Sequence, residues 1–464
     1  MIKCNKIDIP EGNPFQHDSL DREETIKFLT QFIKTADTPL VLSIDSSWGN
    51  GKTTFVKMWD AYLKSTGIEI PSIYFSAWET DYAENALVAL IGELTGEISK
   101  INHADDSKIK KGIDKVTKFG KKALKATLPA AVKMLSYGIF DVSHMLEGHA
   151  DAKKYESITA TLSESIAKSM IEGYGESKQT IDNFKKSLTE LVSTLNKDKP
   201  LVIFVDELDR CNPKFAIEIL ERIKHIFSVE NVVFVLSIDK EQLGHSIRAV
   251  YGNDFNTNGY LRRFINFDYI LPAPRRDTYA NVLFNRYELD INNRDIRELF
   301  DVFRFLSDSY ELTLREMEYC ISIVHMVANM QRVTMIDNTL FIFLIVLKTK
   351  EPNMYQDFIC ERLSIEDMIR HISGDIKIAE PALLISLEAK IACSKERNGN
   401  NLFAASTHYQ TKLESTREST PERHRYTAVI KEIIRLQNQG ERVKLHDLVK
   451  VIEFSSNFNI QLNG

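Results

Sequence analysis

The chain has 464 residues, 43% of them hydrophobic and 27% charged, which excludes wholesale disorder, collagen-like repeats and a bare coiled coil. Lys and Arg number 59 against 65 Asp and Glu, a formal net charge of −6, so the chain as a whole is a poor general polyanion binder, although a local basic patch stays open. The five cysteines, Cys4, Cys211, Cys320, Cys360 and Cys393, form no C-x-x-C pair, which excludes a zinc or thioredoxin-like signature and suits a reducing compartment.

Met1 to Pro10 has no apolar core of a signal peptide, and no run of 18 apolar residues follows, so the expectation is a cytoplasmic protein without an integral membrane span. The first strand signal is Pro39–Asp45, followed by a Gly-containing loop and a helical segment, Lys52–Leu63. Ile73–Trp78 again looks like a strand and Glu84–Ser99 like a helix. Residues 100–195 show no strand signal and read as a helical insertion. Leu201–Val205 and Val232–Leu236 are continuous apolar runs, as expected of strands buried on both faces of a parallel sheet. Amphipathic runs near 279–290, 295–309, 314–331, 336–350 and 354–361 predict a helical second half. The region 394–425 is polar and charged, with a loop at Arg397–Asn401, and short elements are expected at Thr427–Gln437 and Leu445–Phe454. The expected division is 1–99 with 196–275 as an α/β core, 100–195 as the insertion and 276–464 as the helical region.

The sharpest motif is Ser46-Ser47-Trp48-Gly49-Asn50-Gly51-Lys52-Thr53, placed between a predicted strand and a predicted helix. A loop that wraps phosphate with its backbone N–H groups needs glycine for close approach, and a helix N-terminus adds donors and partial positive charge. Ser47, Trp48, Gly49, Asn50, Gly51, Lys52, Thr53 and Thr54 are the expected nucleotide-binding residues, with Lys52 reaching the β- and γ-phosphates and Thr53 ligating Mg²⁺. Ser46 stands where such a loop has its first glycine, and a positive φ there would be strained.

Leu201–Val205 runs into Asp206 and Glu207. Asp206 is expected to hold Mg²⁺ and Glu207 to orient or deprotonate an attacking water. Arg210 reads either as an arginine facing a neighbour or as an ion-pair partner of Asp209. Asn196-Lys197-Asp198-Lys199 has the wrong order and place for a guanine-specificity element, so ATP is favoured over GTP.

These motifs together resemble the KAP P-loop NTPases over roughly residues 8–360. Phe15-Gln-His-Asp18-Ser-Leu20-Asp-Arg22 is similar to the family's segment before its first helix, and Trp48–Thr53 to its Trp-Gly-x-Gly-Lys-Ser/Thr loop. Phe75-Ser-Ala77-Trp78 resembles a Phe-Asn-Ala-Trp strand end, and Asp206–Cys211 an Asp-Asp-Leu-Asp-Arg-Cys element with Glu in place of the second Asp. Tyr260–Ile265 resembles the segment before the last core strand, and Leu314–Glu318 the Arg-containing helix of the helical half. The resemblance implies an α/β fold: a P-loop NTPase of the additional-strand type, a three-layer core with a parallel sheet, a helical insertion and a C-terminal helical bundle. It implies an ATPase using ATP and Mg²⁺. Many members carry transmembrane helices inserted in this core, which the corresponding stretch here lacks; some bacterial members act in exclusion of phage, which makes an anti-phage defence role an expectation.

Arg262 and Arg263 are candidates to complete a neighbouring subunit's site in a homo-oligomer, or are surface arginines; Arg315 is a candidate γ-phosphate sensor, or an exposed helix arginine. Asp239 is read as a helix N-cap in preference to a sensor of the γ-phosphate, and Trp78 as core packing. Ser107–Lys125 holds eight lysines against one aspartate with Ile109, Ile113 and Val116 on one stripe, which suits a solvated face, an anionic membrane surface or nucleic acid. The leading expectation is an ATPase coupled to assembly or to effector or operon-partner proteins. The alternatives are a slow nucleotide-gated scaffold that recruits an effector, and a nucleic-acid or membrane-surface binding protein.

Overall fold

The structure, a computed structural model, describes residues 9–10, 12–82, 86–101, 107–127, 179–195, 199–225, 228–329, 337–375, 381–394, 401–418, 420–439 and 445–456. Five strands, β1 (Leu40–Asp45), β2 (Ser72–Ser76), β3 (Leu201–Asp206), β4 (Val232–Ile238) and β5 (Phe267–Ile270), form one sheet in the order β2-β3-β4-β1-β5. Every pairing is parallel, with Leu40 opposite Val233, Leu201 opposite Val232 and Ser76 opposite Asp206. β4 lies between the strand that feeds the phosphate loop and the strand that ends in carboxylates, which is the additional-strand arrangement of a P-loop α/β core.

The side-chain period of two sorts the sheet into two faces. Val202, Phe204, Val233 and Val235 pack with helices Glu23–Thr35 and Lys52–Lys64 through Ile26, Leu29, Phe55 and Trp59. Leu201, Ile203, Val205, Phe234 and Leu236 pack on the other face with helices Ala86–Ile101, Pro213–His225 and Lys240–Tyr251. β3 and β4 are buried along their whole length because both faces are covered, whereas β5 is a short, mostly exposed edge.

Within the insertion, helix Ser107–Thr127 and the helix at 179–195 extend the second face through Ile109, Val116, Phe184 and Leu188. The remainder of that stretch, including the apolar run from Leu128, lies outside the described residues.

The helical half runs from Arg276 to Ser456 around its own core. Two expected boundaries shift, one in the sheet and one in this half. The strand at 73–78 ends at Ser76, where Ala77 turns into the αR region and Trp78–Thr80 makes a single 3₁₀ turn. The polar stretch 394–425 holds helix Asn401–Ser415 and the start of helix Pro421–Gln439, because Ala405 and Tyr409, four residues apart, bury one narrow side. The loop placed at 397–401 lies outside the described residues as far as 400, and 401 opens that helix. Helix Pro381–Ser394 gave no clear amphipathic signal because it is buried nearly all round in its second half, with Glu388 and Lys390 inside. Among the described residues no helix is long and apolar enough to cross a membrane; Asn338–Lys350, buried from Asn338 to Leu347, is the centre of the helical core.

Candidate phosphate-binding site

The loop after β1 is built around two left-handed glycines, Gly49 at φ +84° and Gly51 at φ +82°, and Gly51 precedes the helix that opens with Lys52. Ser46 stays out of the left-handed region, so the departure from glycine there strains nothing. Its backbone N–H donates to the Ile238 carbonyl at 3.3 Å, and its own carbonyl accepts from Lys52 Nζ at 2.5 Å. Lys52 is buried, and that burial lowers its ammonium pKa, an effect opposed by Asp209, Asp239 and Asp206. A cation held near three carboxylates and lacking water on most sides is ready to exchange a carbonyl partner for a phosphate oxygen.

Trp48 is clasped by two strand ends. Its backbone N–H donates to Asp239 Oδ2 at 3.1 Å, and its indole Nε1 donates to Asp209 Oδ2. Asp239 also caps helix Lys240–Tyr251 through Gln242 N at 3.2 Å, so it is the expected N-cap and an anchor of the phosphate loop as well. Asp209 is buried, its second oxygen Oδ1 has no hydrogen-bond partner among the described residues, and burial raises its pKa against the pull of Lys52 and Trp48. Asn50 Oδ1 is likewise buried and unpartnered. Unsatisfied polar atoms of this kind, gathered at a glycine loop, fit a polar ligand.

At the end of β3 the two carboxylates differ. Asp206 is buried; Oδ2 accepts from Tyr74 O–H at 2.9 Å and Oδ1 from the Glu207 N–H at 3.0 Å. Tyr74, pushed upward first by burial and then by Asp206, stays a hydrogen-bond donor. Glu207 sits at φ +63°, a left-handed position that L side chains rarely take, and this turns its carboxylate toward β2. Oε2 accepts from Ser76 Oγ at 3.0 Å and Oε1 from Arg210 Nη1 at 2.5 Å. Arg210 therefore pairs with Glu207 and not with Asp209. The Arg210 guanidinium lies 5.7 Å from the centre of the Trp78 ring, and Trp78 is 52% exposed, so it is not the core residue its sequence context suggested.

The helical half touches the loop directly. Arg315 N–H donates to the Gly49 carbonyl at 3.2 Å. A Cβ on Gly49 would meet Thr313 Oγ1 at 3.0 Å, and one on Gly51 would meet Leu314 at 3.4 Å and Leu20 at 3.7 Å. Thr313 and Glu316 form a reciprocal cap: Thr313 N–H donates to Glu316 Oε2 at 2.7 Å and Glu316 N–H to Thr313 Oγ1 at 3.2 Å. On the opposite flank Asp18 Oδ2 accepts from Arg22 N at 2.6 Å, and the buried Arg22 guanidinium donates to the Pro272 carbonyl at 3.0 Å.

The sequence-predicted residues thus divide. Ser47, Trp48, Gly49, Asn50, Gly51, Lys52, Thr53 and Thr54 form the loop and the first turn of the helix after it, and Arg315 joins them through its backbone. Asp206 and Glu207 stand at the end of β3, with Asp206 close enough to Lys52 to act on its charge. Arg262 and Arg263 are exposed after the short helix Thr257–Leu261, with the Arg262 charge acting on Asp268 of β5 and no contact to the loop among the described residues. Tyr74, Ser76, Asp209 as a loop anchor, and Thr313 escaped sequence reasoning. The Thr-x-x-Glu spacing at Thr313 was a readable capping signal; the β2 pair was not, because Tyr and Ser on a strand carry no chemistry until a neighbour is known.

The donor set fits a nucleoside triphosphate with Mg²⁺: a helix N-terminus, one ammonium, one hydroxyl (Thr53) and one buried carboxylate (Asp206), since Mg²⁺ is commonly held by one or two protein oxygens plus phosphate.

The KAP family P-loop domain is matched over residues 22–343. An uncharacterized protein of Methanocaldococcus jannaschii is 25% identical over 170 residues, covering 35% of this chain and 86% of that protein. Among solved structures, the ORC2 protein of Aeropyrum pernix aligns at a TM-score of 0.34 and 13% identity in its ADPNP–ADP complexes, covering 98% of this chain and 97% of that one. Its ADP form aligns at 0.36 and 14% identity, covering 98% and 96%.

Proposed function

Because the chain belongs to the KAP family of P-loop domains, we propose that it is a Mg²⁺-dependent ATPase. The observation that carries this reading is the meeting, across β4, of a glycine-built phosphate loop with the Asp206–Glu207 pair at the carboxyl ends of the parallel strands. Backbone N–H groups of the loop and Lys52 bind the phosphates. Thr53 and Asp206 are the residues that would hold Mg²⁺, which when bound would supply charge neutralisation at the phosphates. Glu207 orients the attacking water and takes its proton. Thr313 and Arg315, seated on Gly49, place the helical half where it registers the state of the loop. The core at 1–99 and 196–275, the insertion at 100–195 and the helical region at 276–464 are its working parts.

Lys52→Ala is expected to abolish phosphate release and weaken nucleotide binding, and Glu207→Gln to bind ATP while releasing no phosphate. Turnover by Lys52→Ala equal to that of the parent would refute the reading.

A second reading, a slow nucleotide-gated scaffold, draws on a specific observation: both Glu207 oxygens are already engaged, by Ser76 and Arg210. Under it, Glu207→Gln leaves the output unchanged while Lys52→Ala destroys it. We place the protein in the cytoplasm, working with effector proteins or a second copy of itself, in anti-phage defence. Kinship supports the defence role, and plaque counts with parent and Lys52→Ala chains test it.

A further inference from the structure

Helix Ser107–Thr127 carries eight lysines and one aspartate. At 100° per residue, Ile109, Ile113, Val116 and Gly120 fall on one side. That side is already taken: Ile109 and Val116 are buried with Phe184 and Leu188, and Gly112 and Gly120 let Leu191 and Ile91 approach so closely that a Cβ would lie 2.8 and 2.7 Å from them. Lys108, Lys111, Lys115, Lys118 and Lys122 follow one another at steps of three or four residues on the other side, and all five are exposed. The stripe is about 80° wide and about 21 Å long. Its successive members are helical neighbours, and each like-charge neighbour pair costs the helix about 0.2–0.5 kcal/mol. Lys115 has Glu190 at 3.1 Å, in an ion pair exposed on both sides and therefore weak.

We propose that this stripe binds the phosphate backbone of duplex nucleic acid, without reading sequence. One strand of a duplex carries a phosphate per about 3.4 Å of axis, so a line of about 21 Å lies beside about six of them. A line of charge one residue wide matches a phosphate ridge better than a plane. Among the described residues the apolar side of the helix, Ile109, Ile113 and Val116, is spent on the protein's own core and is not offered to a bilayer interface as in a surface-bound amphipathic helix. A single strand would call for aromatic stacking platforms, and on this helix the one aromatic, Phe119, is half-buried beside Lys122. The concentration of positive charge on one helix of a chain of net charge −6 makes this face distinct from the rest of the surface.

The test uses the full chain and a fluorescein-labelled random-sequence duplex of about 30 base pairs, read by anisotropy across a salt series, with phosphatidylserine vesicles as the rival ligand. Binding is expected to weaken linearly in log–log form with a slope of about −0.9 per phosphate neutralised. The triple variant Lys111→Gln, Lys115→Gln, Lys118→Gln should lose about three from the magnitude of that slope, whereas Lys→Arg at the same three positions should keep it. The three sites are exposed and glutamine favours helix, so the variant folds. Lys52→Ala should bind duplex as the parent does, which separates this proposal from the nucleotide reading. No duplex binding at low salt, an unchanged slope in the glutamine variant, or capture by vesicles with no duplex binding would each overturn it.

Discussion

Arg210 is the residue on which the chemistry of the candidate site turns. It donates to Glu207 Oε1 at 2.5 Å while Ser76 occupies Oε2, so both oxygens of the carboxylate that would meet the attacking water are already engaged. An oxygen so engaged must give up its partner before it can meet a water. Arg210→Ala is therefore expected to raise basal phosphate release several-fold, and a turnover equal to or below that of the parent would show that Arg210 assists the reaction instead. Cys211, next in sequence, takes no part: burial pushes its thiol up to about 12, and it stays neutral.

Secondary elements in the helical half are joined by ion pairs of two kinds, with opposite expectations. Lys390 Nζ lies 3.0 Å from Asp337 Oδ2 and 2.9 Å from Thr339 Oγ1, with both charges buried, and Asp337 Oδ1 caps helix Asn338–Lys350 through Leu340 N at 2.8 Å. Lys390→Met strands a buried carboxylate at that cap and should cost about 3–5 kcal/mol in denaturant unfolding. Glu366, by contrast, is about half exposed and accepts from Lys412 at 3.0 Å, a bond that holds its carboxyl below the ordinary value of 4.5. A folded-state value below the unfolded one contributes stability that is full above about pH 4.5 and is lost as the pH falls through the lower folded value. Glu366→Gln should then cost less than about 1 kcal/mol near neutrality, with the difference from the parent vanishing in acid. A difference that persisted there would point to lost packing instead.

For the whole molecule the decisive contact is the one between halves that are far apart in sequence. Gly49 is one of the phosphate loop's two left-handed glycines and also the point on which Thr313 and Arg315 rest. Gly49→Ala meets two obstacles, a φ of +84° and a Cβ 3.0 Å from Thr313 Oγ1, so it should loosen the helical half as well as the loop. Hydrogen exchange at the amides of 314–317 is expected to accelerate in this variant, and nucleotide should protect those amides in the parent. Exchange at those amides that is indifferent to both would mean that the halves are not coupled through this glycine.

The sequence by itself determined the phosphate loop, the carboxylates at 206 and 207 and four of the five strands, because each is a local pattern: a glycine spacing, an apolar run, a charge at its end. It also foretold the helices from Arg276 to Ile359, most of them through an apolar face and Asn338–Lys350 through an unbroken apolar run. Helix Pro381–Ser394 was illegible because burial on nearly all sides erases periodicity, and helix Asn401–Ser415 because too few of its residues are buried to mark a side. Tertiary structure alone decided what Ser46 costs, which partner Arg210 takes, that Trp78 is exposed, and that Thr313 lies against Gly49. Those are relations between residues brought together from distant parts of the chain or backbone angles fixed by packing, and no local pattern encodes them.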